Sequence, residues 1–244
     1  MEKVLEITGL TKKYKNSRGI EDINLTVYKG DIFGFIGPNG AGKTTTMKCI
    51  TGLCRPDRGN IRIFGYDIKE NFEPAMAKVG CLVETADAYD YMTAYENLLL
   101  VARYYPRLAG NRIDEALELV DLAGHKKEKA GTFSSGMKQR LALAAALLPQ
   151  PGLVILDEPT NGLDIDGKLQ FHELIVRLAK EQGITFFISS HLIHEMERLW
   201  NRVAIIYDGK PVAEGPVQEL TWDQTLEQFY VEQTKALKGG KKYA

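Results

Sequence analysis

Residues 4–10 (VLEITGL) alternate apolar and polar positions, which predicts a strand with one buried face. The stretches INLTVYKGD and IFGFIG read as two more strands joined by a turn at Lys29 and Gly30. The second of these, residues 32–36, runs directly into a glycine-rich segment, after which KTTTMKCITGL continues as a helix ending near Gly52. NIRIFGYDI reads as an edge hairpin and VGCLVE, residues 79–84, as a short buried strand. The pattern then turns helical: Thr93 and Glu96 make a T-x-x-E capping box opening AYENLLLVARYY, which Pro106 terminates. RIDEALELVDLAG spaces Ile113, Leu117 and Val120 at helical intervals, and SSGMKQRLALAAALL forms a third helix.

Past Pro149 the strands return. GLVILDEP is an unbroken apolar run ending in two carboxylates, suited to a parallel strand covered on both faces. Ile165, Leu169, His172, Val176 and Ala179 mark a helix face, ITFFISSH a further buried strand, and RVAIIYDGKPVAEG a hairpin turning at Asp208 and Gly209. A second capping box at Thr221 and Gln224 is expected to open a last helix with Trp222, Leu226 and Phe229 on one face. The predicted class is α/β: residues 1–84 and 150–220 form a core with an antiparallel β subdomain, 85–149 an inserted helical subdomain, and 221–244 a C-terminal helix with a basic tail.

Composition narrows the function classes. With 31 basic and 32 acidic residues and a net charge of −1, the balance gives no electrostatic case for nucleic acid, whose binders usually carry a basic face or stripe, so no nucleic-acid partner is expected. Cys49, Cys54 and Cys81 are odd in number and lack C-x-x-C spacing, which argues against a disulfide framework or zinc knuckle and fits a reducing cytosol. The longest apolar run, residues 141–148, is far shorter than the ~20 residues that span a bilayer.

The chemistry concentrates in GPNGAGKTTT, residues 37–46, whose G-x-x-x-x-G-K-S/T spacing between a strand and a helix describes a P-loop. Glycines permit backbone angles that aim N–H groups at phosphate oxygens, and the following helix turns its positive end on the anion. Gly37, Asn39, Gly40, Ala41, Gly42, Lys43, Thr44 and Thr45 are the expected nucleotide contacts, with Lys43 reaching the β- and γ-phosphates and Thr44 a Mg²⁺ ion. Asp157 and Glu158 end a strand, where α/β sheets bind ligands. Asp157 suits Mg²⁺, direct or through water, and Glu158 can polarise water for attack. These features alone leave kinases, GTPases and helicases open.

FSSGMKQRLALAAALL, residues 133–148, resembles the signature of ATP-binding-cassette (ABC) ATPases, whose usual form is LSGGQ-x-Q-R. Around it NGLD, residues 161–164, resembles the D-loop with Asp164, His191 in ISSHLIHEMERL the switch histidine, and Tyr14 in LTKKYKN the aromatic that stacks on adenine. The resemblance, spanning roughly residues 4–229, implies a P-loop NTPase core binding ATP and Mg²⁺. It also implies hydrolysis aided by Lys43, Glu158 and His191, with Ser134 and Gly136 contacting the γ-phosphate from a partner cassette. It further implies a homodimer or heterodimer with another ABC ATPase, driving an integral-membrane permease from the cytoplasmic face of the membrane. The segment from Glu84 to Asn97 is the expected docking surface.

Three departures stand out. Ser135 and Met137 replace a glycine and the glutamine of the signature, and Ile165 stands where a proline often follows the D-loop aspartate. Glu84 occupies the position of the Q-loop glutamine; a carboxylate accepts hydrogen bonds where an amide also donates, so it would favour Mg²⁺ and repel the γ-phosphate. A glutamate there resembles bacitracin-type and lantibiotic-immunity exporters. The rival reading is a cassette ATPase acting on nucleic acid or ribosomes; its coiled-coil and tandem-cassette versions have features missing from this sequence. A third is a nucleotide-binding regulatory module without turnover, against which Asp157, Glu158 and His191 argue.

Overall fold

The computed structural model describes residues 1–15, 18–83 and 88–238, with 195–196 and 236–238 as backbone only. Among the described residues ten strands, β1 (Lys3–Lys13), β2 (Gly19–Tyr28), β3 (Ile32–Ile36), β4 (Arg58–Ile63), β5 (Tyr66–Asp67), β6 (Val79–Leu82), β7 (Leu153–Leu156), β8 (Thr185–Ser190), β9 (Arg202–Tyr207) and β10 (Lys210–Pro216), make two sheets. The helices are α1 (Lys43–Ile50), α2 (Phe72–Met76), α3 (Ala94–Ala102), α4 (Arg112–Leu119), α5 (Ser135–Leu147), α6 (Ile165–Gln182), α7 (Ile193–Met196), α8 (Val217–Thr221) and α9 (Leu226–Lys238).

The first sheet, β2-β1-β4-β5, is antiparallel, and β5 lies at its edge. The second runs β10-β9-β3-β8-β7-β6 and is parallel except for β10. Although β2 and β3 follow one another across a tight turn, they belong to different sheets. Asp31 enforces the break: its carboxylate accepts the Tyr28 amide at 2.8 Å and the Asn201 side-chain amide at 2.8 Å.

The two-residue strand period divides the core into layers. On β7, Leu153 and Ile155 face the first sheet and α1, while Val154 and Leu156 face α3 to α6. On β3, Phe33 and Phe35 bracket Phe187 of β8 at ring separations of 5.6 and 5.5 Å. Gly34 between them carries no side chain because the Trp200 indole lies on the sheet there; a Cβ would meet it at 2.4 Å.

Several helical signals behave as the sequence predicts. The Thr93–Glu96 box forms in both directions and opens α3, and β9 and β10 turn at Asp208 and Gly209, both at positive φ. Two expectations are corrected. Thr221 does not cap the last helix: its hydroxyl bonds back to the Val217 carbonyl at 2.8 Å inside α8, and Trp222 leaves the helix at φ 37°, 91% exposed. Thr225 and Gln228 form the reciprocal cap instead, at 3.0 and 3.2 Å, and Glu197 accepts the Leu226 amide at 2.6 Å.

The second correction concerns α6. Its buried face is Phe171, Leu174, Ile175 and Leu178, whereas Ile165 is 78% and Leu169 56% exposed. Both sets satisfy helical spacing, so periodicity alone does not choose between them. Phe171→Ala should therefore lower unfolding stability by about 3–5 kcal/mol. Leu169→Ala should stay within about 0.5 kcal/mol. Urea titration monitored by circular dichroism separates the two, and equal losses would reverse the assignment.

Candidate functional site

Neighbouring parallel strands deliver the site. β3, β8 and β7 lie side by side and release their chains at the same edge, with Ile36 opposite Ser190 and Leu156 opposite Ile188. The loop after β3 therefore meets Asp157 and Glu158 after β7, and Ser189 and His191 at the end of β8. A cleft of about 320 Å³ lies there, lined by Tyr14, Arg18, Gly19, Asn39, Gly40, Gly42, Lys43, Thr44, Thr45 and Glu158.

The glycine loop is shaped by close approach. Gly42 ends it at φ 107°, and a Cβ there would lie 2.4 Å from the Ile20 side chain. Gly37 donates to the Ser190 carbonyl at 3.3 Å, tying the loop to β8. Ala41 is buried with its amide on the Pro38 carbonyl at 3.1 Å, and its own carbonyl accepts Gly209 N–H at 3.0 Å. The β9–β10 turn thus props the loop from below. Helix α1 begins directly at Lys43, so its unpaired N–H groups face the cleft.

Lys43 is only 5% exposed. Its ammonium donates to the Gly37 carbonyl at 2.7 Å and the Pro38 carbonyl at 3.2 Å, and lies 3.0 Å from Glu158 Oε1. That Oε1 is buried yet lacks hydrogen-bond geometry to any partner, so the 3.0 Å approach is an ion pair without directional bonding. Glu158 Oε2 sits 2.7 Å from His191 Nδ1. One carboxylate thus bridges the buried lysine and the histidine, held on a backbone at φ 49°.

Sequence reasoning missed Ser189. Its hydroxyl donates to Asp157 Oδ1 at 2.6 Å and accepts the Glu158 amide at 2.9 Å, fixing both carboxylate residues from the adjacent strand. The signal was its place two residues before His191 on a strand parallel to the one ending in Asp157; only strand order shows that these ends are neighbours.

Tyr14 lies at the cleft mouth, half-exposed, with Lys12 Nζ 5.9 Å from the ring centroid. Its amide donates to the Arg18 carbonyl at 2.8 Å, and its hydroxyl lies 3.7 Å from the Cys54 sulfur. Arg18 and Gly19, which sequence reasoning passed over, line the same cleft.

Ser134, Gly136 and Asp164 do not line it. Exposed Ser134 caps α5, accepting the Met137 amide at 3.2 Å, and Asp164 caps α6, accepting Gly167 N–H at 2.9 Å. A Cβ on Gly136 would lie 4.0 Å from the Gly167 Cα, so these two helix starts are adjacent. The site residues therefore form two groups, one within the cleft and one outside it on an exposed edge. Glu84 lies outside the described residues.

The cleft's donor set fits a polyphosphate with a hard divalent cation. A buried ammonium, a helix start and glycine-loop amides suit phosphate oxygens; the Thr44 hydroxyl suits Mg²⁺, which keeps phosphate and water among its ligands, and the Asp157 carboxylate, next in chain to Glu158 but outside the cleft lining, has the same chemistry. The buried Oε1 of Glu158 beside Lys43 marks where an anion is already balanced against that lysine. His194 is exposed on α7, and among the described residues no three His, Cys, Asp or Glu side chains cluster as a metal site.

Comparison with known proteins points the same way. Residues 20–161 match the family described as ABC transporter. The bacitracin transport ATP-binding protein BcrA of Bacillus licheniformis is 46% identical over 220 residues, which cover 90% of this chain and 72% of that protein. The daunorubicin/doxorubicin resistance ATP-binding protein DrrA of Streptomyces peucetius is 34% identical, covering 89% and 67% respectively. A solved ATP-binding subunit of an ABC transporter superposes with a TM-score of 0.81 at 30% identity, covering 95% of this chain and 99% of that one.

Proposed function

This chain belongs to the ABC transporter family and is one of its ATPases, and we propose that it hydrolyses ATP in a cleft completed by a second cassette, coupling the reaction to a membrane permease. The separation of the site residues into two groups carries this reading. Lys43 and Glu158 line one cleft, with His191 bonded to Glu158 behind it, while Ser134 and Gly136 present a helix start outside it. A γ-phosphate held by Lys43 leaves a face on which the α5 start of a second copy, with its positive end and the Ser134 hydroxyl, supplies the remaining donors.

Within that arrangement Tyr14 supports the adenine, and Gly37, Asn39, Gly40, Ala41, Gly42 and Thr45 surround the phosphates. Thr44 and Asp157 would hold Mg²⁺, with Glu84 a further ligand implied by its place in the sequence; when bound, the ion would neutralise phosphate charge. Glu158 polarises the attacking water, its carboxylate oriented by His191, and His191 reaches the γ-phosphate once that carboxylate turns to water. Positioning and electrostatics account for most of such phosphoryl transfer. Asp164, engaged as the α6 cap, holds the turn beside Ser134.

Residues 1–84 and 150–220 serve as the ATP-binding core, and residues 85–149 as the unit that engages the permease. A groove of about 280 Å³ between them, lined by Leu82, Val83, Tyr89, Leu98 and Val101, offers an apolar seat for a permease segment. Among the described residues no helix is long and apolar enough to cross a membrane. The names of BcrA and DrrA favour export of a peptide antibiotic or drug, with this chain at the cytoplasmic membrane face.

Mixing two dead variants tests the shared site. Lys43→Ala and Ser134→Glu should each lack ATPase activity alone, yet regain a fraction of wild-type phosphate release when combined, because one intact composite site re-forms per mixed pair. A mixture as inactive as its components would overturn the shared site.

A further inference from the structure

Two of the three cysteines, Cys49 and Cys54, bracket the end of α1, the helix that carries the P-loop lysine. Cys49 is buried in the last turn of α1. The chain reverses at Gly52, whose amide donates to the Cys49 carbonyl at 3.3 Å, and the Cys54 amide returns to the Lys48 carbonyl at 3.0 Å. Cys54 is thereby folded back to within one residue of Cys49, close enough for its thiol to raise that of Cys49. The half-buried Cys54 thiol also sits 3.7 Å from the Tyr14 hydroxyl.

We propose that Cys49 and Cys54 form a dithiol–disulfide switch on the nucleotide-facing aromatic, in which a peroxide closes an intrachain bridge that draws Cys54 off Tyr14 and weakens ATP binding. A bridge requires the sulfurs to close to about 2.05 Å, and the rotation that achieves it removes the thiol–hydroxyl contact. Tyr14 then gains freedom at the cleft mouth.

The chemistry balances with the peroxide as oxidant. The Cys54 thiolate attacks one peroxide oxygen, the O–O bond breaks, and hydroxide leaves to take up the displaced thiol proton as water, leaving a sulfenic acid. The Cys49 sulfur attacks that sulfenic sulfur; the S–S bond forms, and the hydroxyl departs with the Cys49 proton as a second water. Two thiols lose two electrons and the peroxide gains them. Burial first, then the charge and hydrogen bond of Cys54, push the Cys49 thiol up to about 12, so Cys54 reacts first and Cys49 resolves. Oxidation of Cys54 removes the latter two influences.

The inference rests on Tyr14 facing the nucleotide, as proposed above. Wild type, Cys49→Ala and Cys54→Ser are treated with hydrogen peroxide, and intact mass, bridged-peptide mapping and affinity for a fluorescent ATP analogue are measured before and after. Wild type should lose two hydrogen masses, yield a Cys49–Cys54 linked peptide and bind the analogue about two- to tenfold more weakly. Dithiothreitol should restore affinity. Neither variant should yield the bridged peptide, and Cys54→Ser should show the same affinity before and after peroxide; if it fails to fold, a linked peptide persisting in Cys49→Ala overturns the assigned pair. Oxygen added to Cys54 without a bridge, or a bridge with unchanged affinity, overturns the proposal alone. Reduced protein that fails to bind the analogue overturns it together with the nucleotide-site reading.

Discussion

Lys43→Ala is expected to abolish detectable ATP binding at nucleotide concentrations that saturate the wild type, as read by isothermal titration calorimetry. Lys43 is the buried cation of the cleft, and its three neighbours, the carbonyls of Gly37 and Pro38 and the Glu158 carboxylate, are all electronegative. Removing the ammonium leaves a concave surface of acceptors facing a polyanion. Breaking a buried pair by deleting one partner costs about 3–5 kcal/mol. On the ATP side, lost charge-assisted bonds of about 1.5–3 kcal/mol each lower affinity by orders of magnitude. The variant should also melt at a lower temperature without nucleotide, because the buried Oε1 of Glu158 then loses its counter-charge. Retained ATP affinity would remove the phosphate-loop reading altogether.

Glu158→Gln should separate binding from turnover. The amide preserves shape and can still engage His191, but it takes no proton from water, so phosphate release should fall by about 10²–10⁴-fold. ATP affinity should rise, because in the resting geometry Glu158 competes with phosphate for Lys43 at 3.0 Å and a neutral amide competes less. With hydrolysis blocked, the ATP-held pair should accumulate and double the mass seen by light scattering. A monomer under saturating ATP, at high protein concentration, would count against the shared site, and unchanged turnover would remove Glu158 from its role.

Much of this was legible in the sequence because it depends on local chemistry. The phosphate loop, the Thr93–Glu96 cap and the Asp208–Gly209 turn are each set within a few residues, and each forms as spacing predicts. What the sequence left open depends on partners distant along the chain. On α6 two apolar stripes are equally periodic, and contact with the sheet decides for Phe171. Near the C-terminus two T-x-x-Q spacings compete four residues apart. Pro216 starts α8 too early for Thr221 to cap α9, and Thr225 takes the role. Ser189 was invisible because its importance comes from strand order, which places it beside a residue 32 positions away. The Lys43–Glu158 ion pair was unforeseen for a related reason: both side chains read naturally as facing a ligand, and their mutual attraction shows only once the cleft is built.

The β9–β10 turn has a practical side. Tight hairpin tips are usually the places where a chain accepts tags, fused domains or new termini. Here the tip is wedged between two other segments, with the Gly209 amide on Ala41 at 3.0 Å and its carbonyl accepting Glu21 N–H at 2.7 Å. A fluorescent reporter spliced at residues 208–209 would lever up the floor of the nucleotide cradle. Engineers seeking an insertion point in this chain should look elsewhere.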